Sequence, residues 1–361
     1  MFFKKKSLLD KLITLLIECD NHNVIDKLKQ NNQLAFDETS STILMTLPFY
    51  APRWLSELQE SSASKMKALL GATPIWKITH NVLALQTSSS KTSFDKIKNI
   101  IIVASGKGGV GKSTVSVNLA LALAKNGAKV GILDADIYGP SVPTLLGVKS
   151  EKPSTADGKL MLPIEAHGIV CNSIGFLVAE EDAMIWRGPM ASKALQQVLN
   201  ETAWPELDYL IVDMPPGTGD IQLTMSQYVP VSSAVIVTTP QDVALIDAKK
   251  GVTMFNKVET HISGIVENMS LFTCSKCGHD EAIFGTGGGE QLAKQFDLPF
   301  LGKLPLHISY RQDSDQGAPT VSKNEQLTLV KPYLQLAETL AINLYRDLQP
   351  AIQKINITEI K

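Results

Sequence analysis

The segment from Gly106 to Thr114 carries the most specific chemical pattern in this sequence. It reads Gly-Lys-Gly-Gly-Val-Gly-Lys-Ser-Thr and matches the phosphate-loop pattern G-x-x-x-x-G-K-[ST] at every defined position. The backbone N–H groups of such a loop surround an anion, and the helix that follows points its positive end at the phosphates. We therefore predict a nucleotide site that contains Gly106, Lys107, Gly108, Gly109, Val110, Gly111, Lys112, Ser113 and Thr114.

Two residues of this loop, and one further along the chain, are expected to contact phosphate or metal. Lys112 bridges the β- and γ-phosphates, and Ser113 offers its hydroxyl to Mg²⁺. Asp213 comes directly after the apolar residues 209–212, as does the acid that holds Mg²⁺ in phosphate-loop proteins. A buried strand that ends in Asp is a weak signal alone, but the upstream phosphate loop makes it a strong one.

Further candidates follow the ends of other predicted strands. Asp136 is our choice to orient the attacking water, since it begins a loop that could close over the γ-phosphate; Asp134 then has a supporting role. The Pro- and Gly-rich segment 215–220 predicts a switch loop in which the backbone N–H of Gly217 faces the γ-phosphate, with a rigid turn as the alternative. Asn268 carries an amide that could read the edge of adenine.

The pair Cys274 and Cys277 has C-x-x-C spacing. Two thiolates can share one metal, but a closed zinc site or a four-iron cluster normally needs four ligands. Either other residues such as His279 complete the site, or two chains contribute one pair each. A thioredoxin-like redox pair is the third alternative, and it requires a C-x-x-C at a helix start. Cys19 and Cys171 lie in apolar segments and are expected in the core.

Apolar strands that alternate with helices must position these residues. The predicted strands cover residues 100–104, 130–133, 169–174, 209–212, 234–238, 262–266 and 300–303. Residues 112–125 predict the first helix between them, and a loop is predicted from Gly139 to about His167. Such a pattern predicts an α/β fold with a doubly wound, mostly parallel sheet, whose ligands lie at the carboxyl ends of the strands. Residues 1–86 predict a small N-terminal α+β domain whose last strand covers residues 75–85, residues 87–98 a linker, and residues 99–361 a phosphate-loop ATPase domain with the C-x-x-C insertion.

The amino-acid composition and net charge limit the classes of protein to which this chain can belong. The chain has 361 residues, of which 44% are hydrophobic and 19% charged, as expected for a globular protein. A formal net charge of −2 argues against nucleic-acid binding, which usually needs a basic face. No apolar run approaches the ~20 residues that span a bilayer, and Asp10 and Lys11 interrupt the signal-like start. We therefore predict a cytoplasmic protein that binds neither nucleic acid nor membrane.

The phosphate loop, with its extra lysine Lys107, resembles the deviant Walker-A loop of the MinD/ParA class of dimerising ATPases. Within that class the chain is similar to the Mrp/ApbC iron–sulfur cluster carrier family from about Asn99 to about Tyr345. The motifs that carry the similarity are residues 106–113, 130–141, 186–192, 213–220, 239–242, 264–270 and 305–309. The resemblance implies a MinD-like fold, bound ATP and Mg²⁺, a homodimer in which Lys107 reaches the partner's nucleotide, and a bridging [4Fe–4S] cluster.

With this resemblance, the sequence predicts a carrier that hydrolyses ATP, with Lys107, Lys112 and Asp136 as its catalytic residues. Cys274 and Cys277 of two chains would hold the cluster, which passes from cluster-assembly scaffolds to apo iron–sulfur proteins. A zinc-stapled dimeric ATPase that targets a client protein is one alternative. A MinD/ParA-like positioning ATPase is the other, although the C-terminal segment 346–361 contains a proline and no sustained apolar face.

Overall fold

The computed structural model describes residues 7–87, 94–137, 139–155, 158–177, 188–274, 276–323 and 327–351. The N-terminal part contains three helices and three strands within these ranges. They are α1 (Leu8–Cys19), α2 (Ile25–Gln30), β1 (Leu34–Asp37), β2 (Thr42–Leu47), α3 (Pro52–Leu70) and β3 (Ile75–His80). Strand β2 is central in the sheet, antiparallel to β1 and parallel to β3.

The following part of the chain alternates strands with helices. Its first half contains β4 (Ile97–Ala104), α4 (Lys112–Lys125), β5 (Val130–Asp134), α5 (Val142–Leu145), β6 (Ile164–Ala166), β7 (Ile169–Ser173), α6 (Gly188–Glu201), β8 (Leu207–Asp213) and α7 (Asp220–Tyr228). Its second half contains β9 (Ser233–Thr238), α8 (Asp242–Lys257), β10 (Ile262–Glu267), β11 (Phe272–Thr273), β12 (Asp280–Glu281), α9 (Gly288–Gln295), β13 (Phe300–Lys303), α10 (Ile308–Asp315) and α11 (Leu327–Asp347).

Eight of these strands form one sheet in the described part of the chain, in the order β13-β10-β9-β4-β8-β5-β7-β6. Every recorded pair is parallel except the edge pair of β6 with β7. The central strands are buried on both faces, because α4 and α11 cover one face and α6 and α8 the other. This explains their unbroken apolar runs. The predicted doubly wound, mostly parallel α/β sheet is confirmed.

The register of this sheet places the predicted site residues at one edge. Asp213 is the register partner of Val103 in β4 and of Asp134 in β5. Strand β4 ends at Ala104, one residue after Val103, and the phosphate loop begins two residues later at Gly106. Because these strands are parallel, the loop and the two aspartates lie at the same edge of the sheet.

The N-terminal part packs on α11, the last described helix. The carboxylate of Glu338 accepts hydrogen bonds from the backbone N–H groups of Arg53 and Trp54, both at 3.1 Å. These donors belong to the first turn of α3, whose N–H groups lack partners within the helix. The hydroxyl of Tyr345 accepts a bond from Asn31 at 2.8 Å. Residues from both parts share one hydrophobic core, so the N-terminal part is fixed on the face of the sheet that α4 and α11 cover.

Several predicted elements differ from the observed ones. The strand predicted over residues 75–85 ends at His80, and the excursion predicted as loop up to His167 contains α5 and β6. Strand β4 begins at Ile97, two residues inside the predicted linker. Strand β1 and helices α7 and α10 were not predicted. Within the described residues, no helix combines the length and apolarity that a membrane crossing requires.

Candidate functional site

The phosphate loop owes its shape to two glycines. A side chain at Gly106 would collide with the backbone of α8, where the amide nitrogen of Ala248 lies 2.6 Å from the position of a Cβ atom. Gly111 caps α4 with a φ of +80°, a conformation that residues with a side chain rarely adopt. The loop therefore packs against α8 at its start and turns into α4 at its end.

An open cleft of about 250 Å³ lies over this loop. Most of the predicted nucleotide-binding residues line it, together with Asp136, with Pro216 of the predicted switch segment and with three residues that the sequence did not single out. The lining consists of Ser105, Lys107, Gly108, Gly109, Gly111, Lys112, Ser113, Thr114, Asp136, Ser141, Leu145 and Pro216. The helix α4 starts at Lys112, so the positive end of its dipole faces the cleft. This arrangement suits an anion such as a nucleotide phosphate.

The ammonium of Lys112 connects the two predicted magnesium ligands. Its Nζ atom lies 2.7 Å from Oδ1 of Asp213 and 3.2 Å from Oγ of Ser113. Oδ1 of Asp213 also accepts a bond of 2.6 Å from the hydroxyl of Ser116. The other carboxylate oxygen, Oδ2, is buried and has no partner among the described residues. A cation thus already bridges these oxygens, and hard oxygen ligands of this kind fit Mg²⁺.

The two aspartates that end β5 have different surroundings. Asp134 is fully buried and accepts bonds of 3.1 Å from the N–H groups of Asp136 and Val142 and from the hydroxyl of Ser173. Burial, followed by the charge of Asp213, raises the pKa of Asp134 to about 8. Asp136 lines the cleft instead. Asp134 therefore holds the loop that presents Asp136, which supports Asp136 as the acid that meets a ligand.

The other two predicted nucleotide contacts hold the loops in this conformation. The N–H of Gly217 donates to the carbonyl of Ser105 at 2.9 Å, so the 215–220 segment is tied to the start of the phosphate loop. The Nδ2 atom of Asn268 donates to the carbonyl of Val110 at 2.8 Å and lies against Gly111. The side-chain amide of Asn268 thus stabilises the phosphate loop through the backbone of Val110. Its predicted contact with adenine stays a prediction.

The cysteine pair lies on a short hairpin formed by β11 and β12. We call residues 270–287, which connect β10 to α9 and contain this hairpin, the cysteine insertion. The N–H of Gly278 donates to the carbonyl of Cys274 at 2.8 Å, and the N–H of Cys274 to the carbonyl of His279 at 2.9 Å. Backbone N–H groups of Lys276 and Cys277 point at the sulfur of Cys274 and lower its pKa. Amides that stabilise a thiolate in this way suit a metal ligand.

The ligand set of this hairpin is incomplete in one chain. All four cysteines are free, and Cys277 is exposed while Cys274 is half-buried. No group of three or more His, Cys, Asp or Glu side chains in the described ranges is arranged to hold a metal. His279 contributes its carbonyl to the hairpin rather than joining such a group. The described residues of one chain therefore offer two of the four ligands that a four-coordinate metal or cluster takes.

Some residues of the site escaped the sequence prediction. Ser116 binds Asp213 and lies one helical turn after Lys112, a spacing that places both on one face of α4. That spacing could have identified it. Ser105, Ser141 and Leu145 reach the cleft because the loop after β4 and the segment around α5 come together in the fold, which leaves no local signal. Pro216 lies in the switch segment that the sequence predicted. Trp186 and Arg187 of the 186–192 motif lie outside the described residues.

The sequence of this chain is similar to those of several known proteins. Residues 96–341 match the ParA family model described as a NUBPL iron-transfer P-loop NTPase. An iron–sulfur cluster carrier protein of Escherichia coli K12 is 54% identical over 325 residues, covering 90% of this chain and 88% of the relative. The iron–sulfur cluster transfer protein NUBPL of Mus musculus is 50% identical over 250 residues, covering 69% and 78%.

Solved structures give the same fold. A nucleotide-binding protein of Archaeoglobus fulgidus in complex with ADP is 38% identical, with a TM-score of 0.55 over 64% of this chain and 90% of the other. The cell division ATPase MinD of Pyrococcus furiosus is 24% identical, with a TM-score of 0.50 over 67% and 97%. The second likeness concerns the fold alone.

Proposed function

The chain belongs to the ParA family of NUBPL iron-transfer P-loop NTPases, as its sequence motifs predicted, and from this membership we propose that it is an ATP-hydrolysing iron–sulfur cluster carrier. Two copies hold one [4Fe–4S] cluster between them and pass it to apo iron–sulfur proteins. The cluster is cargo in this scheme. Its retention depends on Cys274 and Cys277, and its release is tied to the state of the nucleotide.

The observation that carries this proposal is the half-complete thiol pair on the hairpin of β11 and β12. Its backbone amides favour the thiolate form of Cys274, the form that binds iron. One chain supplies two thiolates, whereas a [4Fe–4S] cluster takes four. A pair from each of two chains completes the set. Cys277 is exposed and Cys274 is half-buried, which leaves the pair accessible to a second chain and to a recipient protein.

We assign the nucleotide chemistry to the residues around the cleft. The phosphates of ATP draw the ammonium of Lys112 away from Asp213, because they offer it a denser negative charge. Asp213 and Ser113 would hold Mg²⁺, and the ion would neutralise charge on the phosphates. Asp136, which lines the cleft, orients the attacking water. Lys107, half-buried in the loop, stabilises the γ-phosphate of the partner subunit in a dimer.

The same proposal fixes the kind of partner and the compartment. Cluster-assembly scaffolds supply the cargo, and apo-proteins with unfilled cysteine ligands receive it. Four free thiols in one chain suit a reducing compartment such as the cytoplasm. With a formal net charge of −2, we expect no affinity for nucleic acid or for anionic membrane surfaces.

Anaerobic reconstitution with iron and sulfide tests the proposal. The wild-type protein should gain a broad visible absorbance and about two iron atoms per chain. Cys274→Ala and Cys277→Ala should lose both and still bind Mg-ADP. Cys19→Ala is the matched control, because it removes a thiol far from the hairpin and should load like wild type. Uptake of zinc alone, at roughly half a zinc per chain, would instead indicate the zinc-stapled ATPase.

A further inference from the structure

Glu267 is a fully buried carboxylate at the end of β10. Its Oε1 atom accepts bonds from the hydroxyl of Ser270 at 2.8 Å and from the N–H of Gly287 at 3.2 Å. Its Oε2 atom accepts a bond of 2.7 Å from the N–H of Gly289. Among the described residues no basic side chain forms an ion pair with it. Burying a carboxylate without a cation costs free energy. The hydrogen bonds that Glu267 accepts are therefore expected to serve a role in the structure.

These three donors lie at both ends of the cysteine insertion. Ser270 begins the insertion, Gly287 ends it, and Gly289 lies in the first turn of α9. The packing is close, since a Cβ atom at Gly289 would lie 3.0 Å from the Cβ of Glu267. One carboxylate therefore closes the base of the loop that carries Cys274 and Cys277. A helix cap alone would need only the bonds to α9.

The next residue along the chain holds the phosphate loop. Asn268 donates from its side chain to the carbonyl of Val110, and its backbone N–H donates to Thr238 at 2.8 Å. Met269 follows with a φ of +55°, and its terminal methyl lies 3.5 Å from the Cβ position of Gly111. Consecutive residues thus contact the nucleotide loop on one side and both ends of the cysteine insertion on the other.

We propose that Glu267 is a positioning residue that couples the phosphate loop to the cysteine hairpin. A nucleotide that shifts the loop moves Asn268, and the adjacent Glu267 carries this shift to both ends of the insertion. The inference rests on the proposed function, since it assigns to that function the physical link between its two sites. A link of this kind is reciprocal, so cluster loading must change nucleotide affinity by the same factor.

Hydrogen exchange on the cluster-free protein tests the link with Mg-ADP as the probe. In the wild-type protein, saturating Mg-ADP should change the exchange rate of amides in residues 271–281 by about five-fold or more. In Glu267→Gln this change should fall below about two-fold while Mg-ADP still saturates. Gln keeps the shape of the side chain but replaces one acceptor oxygen with an N–H donor that faces another donor.

Glu290→Gln is the matched control. It makes the same chemical change in the first turn of α9, where the carboxylate is partly exposed and paired with Lys294 and Lys303, and it should respond like wild type. A residue that only capped α9 would alter exchange in α9 with and without Mg-ADP, and would leave the response of residues 271–281 intact.

The outcomes decide between these roles. A Glu267→Gln protein that keeps the wild-type response would overturn the inference, as would a wild-type hairpin that does not respond to Mg-ADP. If Glu267→Gln does not fold, Ser270→Ala decides, because it removes one donor without adding a mismatched one; its response should be reduced, and an unreduced response contradicts the link. Since no cluster is needed, a failure here is distinct from a failure to load iron.

Discussion

Lys112 and Asp213 form a buried ion pair between the phosphate loop and the end of β8. The Nζ and Oδ1 atoms lie 2.7 Å apart, and the two side chains are 6% and 0% exposed. The lysine is thus held by the carboxylate that we assign to Mg²⁺, and nucleotide binding must exchange this partner for phosphate. The residues that we assign to nucleotide chemistry therefore also contribute to the stability of the nucleotide-free protein.

Replacing Lys112 with alanine should therefore have two effects. ATP hydrolysis should be abolished, because no cation remains to bridge the β- and γ-phosphates. The nucleotide-free protein should also lose about 3–5 kcal/mol of stability, since Asp213 is left as a buried charge without a cation. Urea unfolding measures the loss. Lys65→Ala, which breaks the exposed pair with Glu18, should change it by less than about 1 kcal/mol. Equal effects of the two variants would refute the structural part of this prediction.

Lys107→Ala tests the contribution of the second chain. The residue lines the cleft, but we assign its ammonium to the partner's nucleotide rather than to its own, so Mg-ADP affinity should change little. Hydrolysis should fall on the order of 10³-fold, as when a cation supplied in trans is removed. Steady-state ATPase rates over a range of protein concentrations measure this. An unchanged rate would show that Lys107 does not act on the partner's nucleotide.

The contact of Asn268 with Val110 predicts how a substitution of Asn268 changes the affinity for nucleotides. If it acts through the phosphate loop, Asn268→Ala should weaken Mg-ADP and Mg-GDP by the same factor, about ten-fold for a buried hydrogen bond of this kind. Titration calorimetry with the two nucleotides gives both factors. A loss confined to Mg-ADP would assign the side chain to adenine instead, as the sequence first indicated.

Asp134 should make stability depend on pH. Burial raises its pKa from the ordinary 3.8 to about 8, so between these values the folded chain binds a proton that the unfolded chain has lost. Its contribution is fully present below pH ~4 and is lost as the pH rises to ~8, at up to about 1.4 kcal/mol per pH unit. Asp134→Asn should flatten this fall in urea unfolding at pH 5 and pH 8. The exposed Asp315→Asn should keep it, and an unflattened Asp134→Asn would contradict the assignment.

Local patterns sufficed for much of the fold and of the nucleotide loop. Helix α4 was predicted with its observed bounds, because the loop motif marks its start and Asn126-Gly127 its end. Strand β13 was likewise predicted with its observed bounds, residues 300–303. Each of these signals lies within a few residues of the element that it predicts.

The rest depended on contacts between distant segments. Strand β6 has three residues and exists because it pairs with β7 at the sheet edge, so its own residues hardly indicate it. The pairing of Lys112 with Asp213 joins positions 101 apart in the chain and follows from the strand register. The hydrogen bonds of Glu267 could not be predicted either, since the donors Ser270, Gly287 and Gly289 come together only in the folded cysteine insertion.

Native mass spectrometry of the anaerobically loaded protein shows whether two chains share one cluster through Cys274 and Cys277. We expect a dimer that carries one cluster of about four irons and four sulfides. Mixing wild type with a Cys274→Ala/Cys277→Ala variant should give heterodimers without a cluster. A single chain that carries a cluster, or a heterodimer that retains one, would contradict the proposal of a shared cluster.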